Sequence, residues 1–344
     1  MQRNNKSILI TGGMGYVGSH TATLLLDAGY DVVIVDNCAN SFPDTLERIR
    51  KISPGNVEWV NADVSNRDEM GSVFARHQFA GIIHFAAYVS IPESVAAPDK
   101  YYANNIGTLA TVLHFATQDG KSIPLVFSSS AAVYGNSGKM PLREDEPLAL
   151  PPSPYAVTKQ KGESMLRDYV STHGGKAVAL RYFNPAGGHP SGLLGEQYRM
   201  PVFHLVPAMC EAAAGLRKEL VIFGDDYPTP DGTCIRDYVH VMDVAQAHVA
   251  ALAHVDTQAE NYFEVFNIGS GSGYSVKTML DEFQKVNSVS VPFKYADRRA
   301  GDPACLVADT QKARDILKWE PHYTLTDMLR TAWQWQKSGL NALS

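Results

Sequence analysis

Cysteine is scarce in this chain. The four residues among 344, Cys38, Cys210, Cys234 and Cys305, form no C-x-x-C pair and have no histidine at zinc spacing. That scarcity excludes a disulfide scaffold and a structural zinc site, and it fits a reducing cytoplasm. No apolar run approaches the roughly 20 residues of a membrane-spanning helix. After the polar segment Met1–Ser7 the apolar stretch runs straight into Thr11-Gly12-Gly13, so it reads as a buried first strand and not as a secretory h-region. Positive charge is also short, with 30 Lys+Arg against 36 Asp+Glu and a net charge of −6. Such a chain lacks the electrostatic footprint of a protein that binds nucleic acid. Any anionic ligand must be held locally, by amides or by individual arginines. There is no internal repeat and no long block of charge; the densest cluster, Arg143-Glu144-Asp145-Glu146, reads as a solvated loop.

What the chain does have is length for roughly two domains and a regular alternation of elements. Ile8–Thr11, Val32–Asp36, Val57–Asp63, Ile82–Ala86, Leu125–Ser130 and Val178–Phe183 are near-continuous apolar runs, the pattern of strands covered on both faces. Between them Tyr16–Ala28, Asp99–Gln118 and Tyr155–Thr172 carry helical spacing. The predicted class is α/β, a doubly wound parallel (Rossmann) sheet with a smaller mixed α/β lobe. After Phe183 the rhythm changes at the turn-rich stretch Asn184–Gly192, and strands are expected at Leu220–Phe223, Phe263–Ile268 and Val291–Tyr295. Residues 1–184 therefore form the expected nucleotide-binding domain, rejoined by a return segment around 238–255. Residues 185–344 form mainly the second lobe.

Glycines 12, 15 and 18 make G-x-x-G-x-x-G between the first strand and a helix. This is a variant of the dinucleotide fingerprint, in which bare backbone lets a pyrophosphate reach free N–H groups at a helix N-terminus. Tyr16 and Val17 complete the turn. Asp36 ends the second strand at the distance where an acid binds an adenosine ribose and repels a 2′-phosphate, which favours NAD. Asp63-Val64 flank the adenine. Tyr155 and Lys159 lie four apart on one helix face, behind Ser153 as a cap and Pro154, so that the ammonium favours the phenolate. Ser128-Ser129-Ser130 end the fifth strand, at the edge where such sheets bind ligands.

The order glycine loop, Ser130, Tyr155-x-x-x-Lys159 resembles the extended short-chain dehydrogenase/reductase superfamily, and within it the UDP-glucose 4-epimerases. Thr11–His20, Asp36-Asn37 with Asn40, His84-Phe85-Ala86-Ala87, Phe127–Ser130, Leu180–Pro185, Ile222–Pro228, Arg236–Val241 and Arg298–Asp302 follow in that family's order across nearly the whole chain. The resemblance implies tightly held NAD and UDP-sugar substrates, no metal, a cytoplasmic homodimer pairing helices near Asp99–Gln118 and Tyr155–Thr172, and a place in galactose metabolism. It assigns Tyr155 as the base, Ser130 as a partner of the sugar 4-oxygen, and Lys159 as the cation beside both the phenol and the nicotinamide ribose. Phe85, Ala86, Ala87, Asn104 and Ser128 would line the cofactor. Asn184, His204, Leu205, Arg236, Arg299 and Asp302 would hold UDP, with Leu306 at the sugar-pocket gate where the family carries Tyr or a small residue. Taken alone, Arg236 beside Asp237 reads as a simple ion pair. Three departures stand out. Val89 replaces a common Lys, Pro92 a common Gly, and His204 a common Asn. Rival readings are a UDP-N-acetylglucosamine or UDP-pentose 4-epimerase and a non-catalytic NAD-binding regulator. A nucleotide-sugar dehydratase would place acids after Ser130, where Ala131-Ala132 stand. His84 and the stripe Trp319, Tyr323, Trp333 and Trp335 read as core.

Overall fold

A computed structural model describes residues 6–118, 122–136, 139–197, 199, 202–299 and 301–340. The first half alternates strands and helices: β1 (Ser7–Thr11), α1 (Tyr16–Asp27), β2 (Asp31–Val35), α2 (Thr45–Ile52), β3 (Val57–Val60), α3 (Arg67–Arg76) and β4 (Phe79–His84). It continues through α4 (Ile91–Ala96), α5 (Pro98–Tyr101), a π-helical turn (Tyr102–Ile106), α6 (Gly107–Ala116), β5 (Leu125–Ser130), α7 (Pro154–His173) and β6 (Lys176–Tyr182). The second half holds β7 (Asn184–Ala186), α8 (Leu205–Ala213), β8 (Leu220–Phe223), β9 (Ile235–His240), α9 (Val241–Asp256), β10 (Tyr262–Ile268) and β11 (Gly273–Ser275). Then come α10 (Val276–Asn287), β12 (Phe293–Ala296), β13 (Cys305–Leu306) and α11 (Leu325–Lys337).

Seven parallel strands form the main sheet in the order β10-β6-β5-β4-β1-β2-β3. Alternate residues feed two cores. Ile8, Ile10, Ile34, Val126 and Leu180 pack against α1 and α9 on one face. Leu9, Val35, Ile82, Phe127 and Ala179 pack against α3, α6 and α7 on the other. This two-sided burial is why the strands read as unbroken apolar runs. The strand order reverses between β1 and β4, so the loops after those strands part and leave a crevice at their carboxyl ends.

Two differences from the sequence pattern matter for the site. The pattern places 263–268 in the second lobe, whereas β10 pairs in parallel with β6 and extends the main sheet. Helix α9 is the covering crossover that brings the chain back there. The expected continuous helix 99–118 is interrupted by the π-helical turn. There the buried Asn105 accepts from Tyr88 N at 2.9 Å and donates to the Tyr88 carbonyl and to Thr158 Oγ1, both at 3.1 Å. The widened turn sets Asn105 inward while Asn104 faces the crevice.

The second lobe has its own core, including Met209, Ile222, Leu280, Phe283, Leu329 and Trp333. Its β9 is flanked by β7, β11 and β13, and β8 pairs with β12. The late tryptophans are packing residues, as expected: Trp319 donates Nε1 to the Asp243 carbonyl at 2.9 Å and Trp335 to the Glu196 carbonyl at 3.0 Å.

Candidate active site

The two lobes enclose a cleft of about 940 Å³, and every site residue singled out in the sequence lines it. At its floor the glycine loop turns sharply. Gly12 has φ +72°, and a Cβ there would lie 2.7 Å from Ala86 N, so the loop after β4 presses directly on it. Helix α1 starts at Gly15 with no side-chain cap, and its first amides have no partner from that source. Asp36 directly follows β2, 8% exposed, accepting from Met14 N at 3.0 Å, Cys38 N at 2.9 Å and Ser41 Oγ at 2.9 Å. Burial holds its carboxyl above the usual range against those three donors. Nearby Asn40 Oδ1 is buried without a partner among the described residues. An uncapped helix end and an acid just past a strand suit the pyrophosphate and ribose of a dinucleotide. Asn37, Asp63 and Val64 extend the same wall, with Phe85, Ala86, Ala87, Asn104 and Ser128 toward the centre.

At the centre, Ser153 caps α7 by accepting from Ala156 N at 3.2 Å, with Pro154 in the first turn. That start directs Tyr155 and Lys159 to the cleft. Lys159, 3% exposed, donates Nζ to the Ser128 carbonyl at 2.7 Å and sits 5.7 Å from the Tyr155 ring centre. Ser130 hydrogen-bonds Tyr155, which favours the phenolate, but burial outweighs it and holds the phenol above its ordinary value. Burial likewise pushes the Lys159 ammonium down to about 7. The spacing alone suggests that Lys159 carries Tyr155 toward neutrality. Burial opposes that shift at both groups, which have lost their water. His84 is a core residue: its Nδ1 lies 2.7 Å from Thr11 Oγ1, and burial pushes it down to about 3.

At the far end, Arg236 ion-pairs with Asp302 across the cleft. The adjacent-residue pair with Asp237 does not form. Asp237 faces the turn after β10, accepting from Ser270 N at 2.7 Å, Ser270 Oγ at 2.8 Å, Gly271 N at 3.0 Å and Ala308 N at 3.1 Å. The Arg299 guanidinium stacks 4.1 Å from the Phe223 ring centre. Asn184 donates to the Asp237 carbonyl at 2.9 Å. His204 Nδ1 meets Glu196 Oε1 at 2.6 Å, just before α8 and Leu205. On β13, Leu306 pairs in register with Arg236 and lines the cleft; its neighbour Cys305 does not, as strand alternation demands. Val89 and Pro92 stand on an apolar wall with Ile91 and Val95. Of the Arg298–Asp302 motif, Ala300 lies outside the described residues.

Glu163 and Glu196 support the site and were not singled out in the sequence, whereas Tyr182 and Phe223 lie in the motifs Leu180–Pro185 and Ile222–Pro228 with no role assigned there. The one available signal was for Glu163, four residues after Lys159 on the same helix face.

The family model described as GDP-mannose 4,6 dehydratase matches residues 9–332. A UDP-glucose 4-epimerase of Bacillus subtilis is 44% identical over 338 residues, covering 97% of this chain and 98% of that one. This chain belongs to the UDP-glucose 4-epimerase family. A UDP-glucose-4-epimerase of Stenotrophomonas maltophila, solved with bound NAD and formylated UDP-arabinopyranose, superposes with a TM-score of 0.94 at 40% identity over 98% of this chain and 100% of that one. The Bifidobacterium longum UDP-glucose 4-epimerase, in complex with NAD+ and UDP, has a TM-score of 0.93 at 39% identity over 98% of this chain and 100% of that one. Ser130 is followed by Ala131 and Ala132, which open a 3-10 turn with no acid beside the strand-end hydroxyl.

Proposed function

We propose that this epimerase-family protein interconverts UDP-galactose and UDP-glucose with NAD as its cofactor. The observation that carries this is one shared cleft, lined by the uncapped α1 terminus, by Ser130, Tyr155 and Lys159, and by Arg236 and Arg299. In this reading residues 1–184, with the return segment 238–255 and β10, hold NAD, and 185–344 supply most of the UDP-sugar contacts. The amides of Gly12, Gly15, Tyr16, Val17 and Gly18 hold the pyrophosphate. Asp36, Asn37, Asn40, Asp63 and Val64 take the adenosine end. When bound, NAD would supply a reversible hydride acceptor beside the sugar C4, which would make the reaction redox-neutral overall. Tyr155 removes and restores the 4-hydroxyl proton, Ser130 holds the 4-oxygen, and Lys159 stabilises the phenolate. Arg236 and Arg299 anchor the diphosphate with charge-assisted bonds. Asn184, His204, Leu205 and Asp302 steady the UDP. The 4-keto sugar is then free to turn about the diphosphate against the apolar surface of Val89, Ile91 and Leu306.

A second reading, turnover of UDP-N-acetylglucosamine or UDP-pentoses, is favoured by Leu306, which is smaller than the Tyr of hexose-restricted relatives. We further propose a cytoplasmic homodimer serving galactose metabolism, with helices near 99–118 and 155–172 at its interface. The free thiols Cys38, Cys210, Cys234 and Cys305 support a reducing compartment, and no helix among the described residues is long and apolar enough to cross a membrane. Side-by-side rates with UDP-galactose, UDP-N-acetylgalactosamine and a UDP-pentose test the substrate assignment. UDP-galactose is expected to be turned over best; a faster UDP-N-acetylgalactosamine or pentose reaction would reassign the enzyme. No product from any of the three, with no NAD released on denaturation, would reject the enzyme reading.

A further inference from the structure

One turn beyond Lys159 on α7 stands Glu163, which does not line the cleft. Its carboxylate and the Arg181 guanidinium of β6 have side chains only 1% and 2% exposed. They meet as a fork, Arg181 donating Nε to Oε1 at 2.8 Å and Nη2 to Oε2 at 2.7 Å. Ser129 Oγ adds a third bond to Oε1 at 2.6 Å. Arg181 is completed by the Tyr134 ring, 4.8 Å from its centre, and by the Glu144 carbonyl at 3.3 Å. A buried pair of this kind gives little stability beyond apolar residues of the same volume. Its location suggests a different role. Ser129 lies between Ser128, whose carbonyl receives Lys159, and Ser130, the strand-end hydroxyl.

The charges around Lys159 are few. Burial pushes its ammonium down, and Glu163 is the group that opposes this. His84 on β4 and His248 on α9 face it as neutral rings, pushed by burial to about 3 and about 4. Tyr155 on α7 is held as the neutral phenol, with Tyr182 of β6 adding to that effect. None of these brings negative charge.

We propose that Glu163 is a positioning residue of the epimerase reaction: clamped by Arg181 and Ser129, it fixes the Ser128–Ser130 strand end against α7 and supplies the buried negative charge that keeps Lys159 cationic. This rests on the epimerase reading of the same cleft.

Glu163→Gln removes the charge at nearly constant shape. In kcat and KM for UDP-galactose measured across roughly pH 6 to 10, the alkaline limb of kcat is expected to move down by about one pH unit. KM should stay within about twofold, because Glu163 touches no ligand. A single unpaired Arg181 could prevent folding, so Glu163→Met/Arg181→Met is the companion, removing both charges at similar volume. There the alkaline limb is expected to move in the same direction by a smaller amount, because the guanidinium's opposing charge is lost with the carboxylate. A wild-type limb in the double variant would overturn the proposal, as would one common loss at every pH in Glu163→Gln; either result assigns the pair to structure alone. Absence of turnover in the wild-type enzyme would instead reject the epimerase reading, so the two failures are told apart.

Discussion

At the scale of single residues, the chemistry turns on a buried phenol and the groups around it. Tyr155→Phe keeps the packing of a side chain 7% exposed and removes the hydroxyl proposed to exchange a proton with the sugar. Its kcat is expected to fall by about 10²–10⁴-fold, with UDP-sugar affinity by calorimetry nearly unchanged. Retention of most activity would reject Tyr155 as the base. Leu306→Tyr narrows the sugar end of the cleft, so turnover of UDP-N-acetylgalactosamine should fall selectively while UDP-galactose turnover survives. Equal losses on both substrates would deny Leu306 the role of gate. The residues behind these predictions were readable because their meaning is local: a strand-end acid, a glycine spacing, a Tyr and Lys one turn apart. Partner choice was not readable. Arg236 pairs with Asp302 instead of Asp237, and Glu163 with Arg181, across 66 and 18 residues of chain. Such pairs are set by which elements pack together, which no local pattern contains.

At the scale of elements, the glycine loop shows how tightly fold and cofactor site are joined. A Cβ on Gly18 would lie 2.5 Å from the Gly12 carbonyl oxygen and 2.8 Å from Gly13 Cα, both backbone atoms. Alanine gains about 1 kcal/mol of helix propensity over glycine, but forcing α1 away from the loop costs about 1–3 kcal/mol. Gly18→Ala should therefore lower the urea midpoint and, more sharply, the NAD retained on purification. Full NAD occupancy in that variant would show that the loop has room to spare. The strand runs were legible because two-sided burial makes them apolar throughout, and their boundaries differ from the observed ones by only a few residues. The place of β10 was not, since a buried strand carries no mark of which sheet it joins. Nor was the π-helical turn, whose cause is Asn105 reaching across to Tyr88 and Thr158.

At the scale of the whole molecule, buried neutral histidines tie stability to pH. Burial pushes His20, His84 and His240 to about 3 and His248 to about 4. Unfolded histidine binds a proton below about 6.5, so between that pH and the folded values the unfolded chain holds more protons. The stabilisation is full above about 6.5 and is lost as pH falls toward the folded values. Asp237, raised to about 6, acts in the opposite direction, its stabilisation being present below its ordinary range and lost as pH rises through 6. Asp36, Glu144 and Asp243, also raised by burial, act with it, against six histidines held down, His189 and His254 included. Unfolding free energy, from urea titrations, should fall between about pH 6.5 and 5, each net proton contributing about 1.4 kcal/mol per pH unit. A flat or rising stability over that range would contradict the burial assigned to these rings. The proposed anion sites need no basic field, since they are helix-end amides in one lobe and Arg236 and Arg299 in the other, so a net charge of −6 argues against a polymer and not against a nucleotide. In the proposed reaction one cleft oxidises and re-reduces the same sugar carbon. UDP-galactose deuterated at C4, incubated with the purified protein and no added cofactor, tests it most directly. The account predicts UDP-glucose that keeps the deuterium at C4, whereas label lost to solvent, or no UDP-glucose at all, would contradict it.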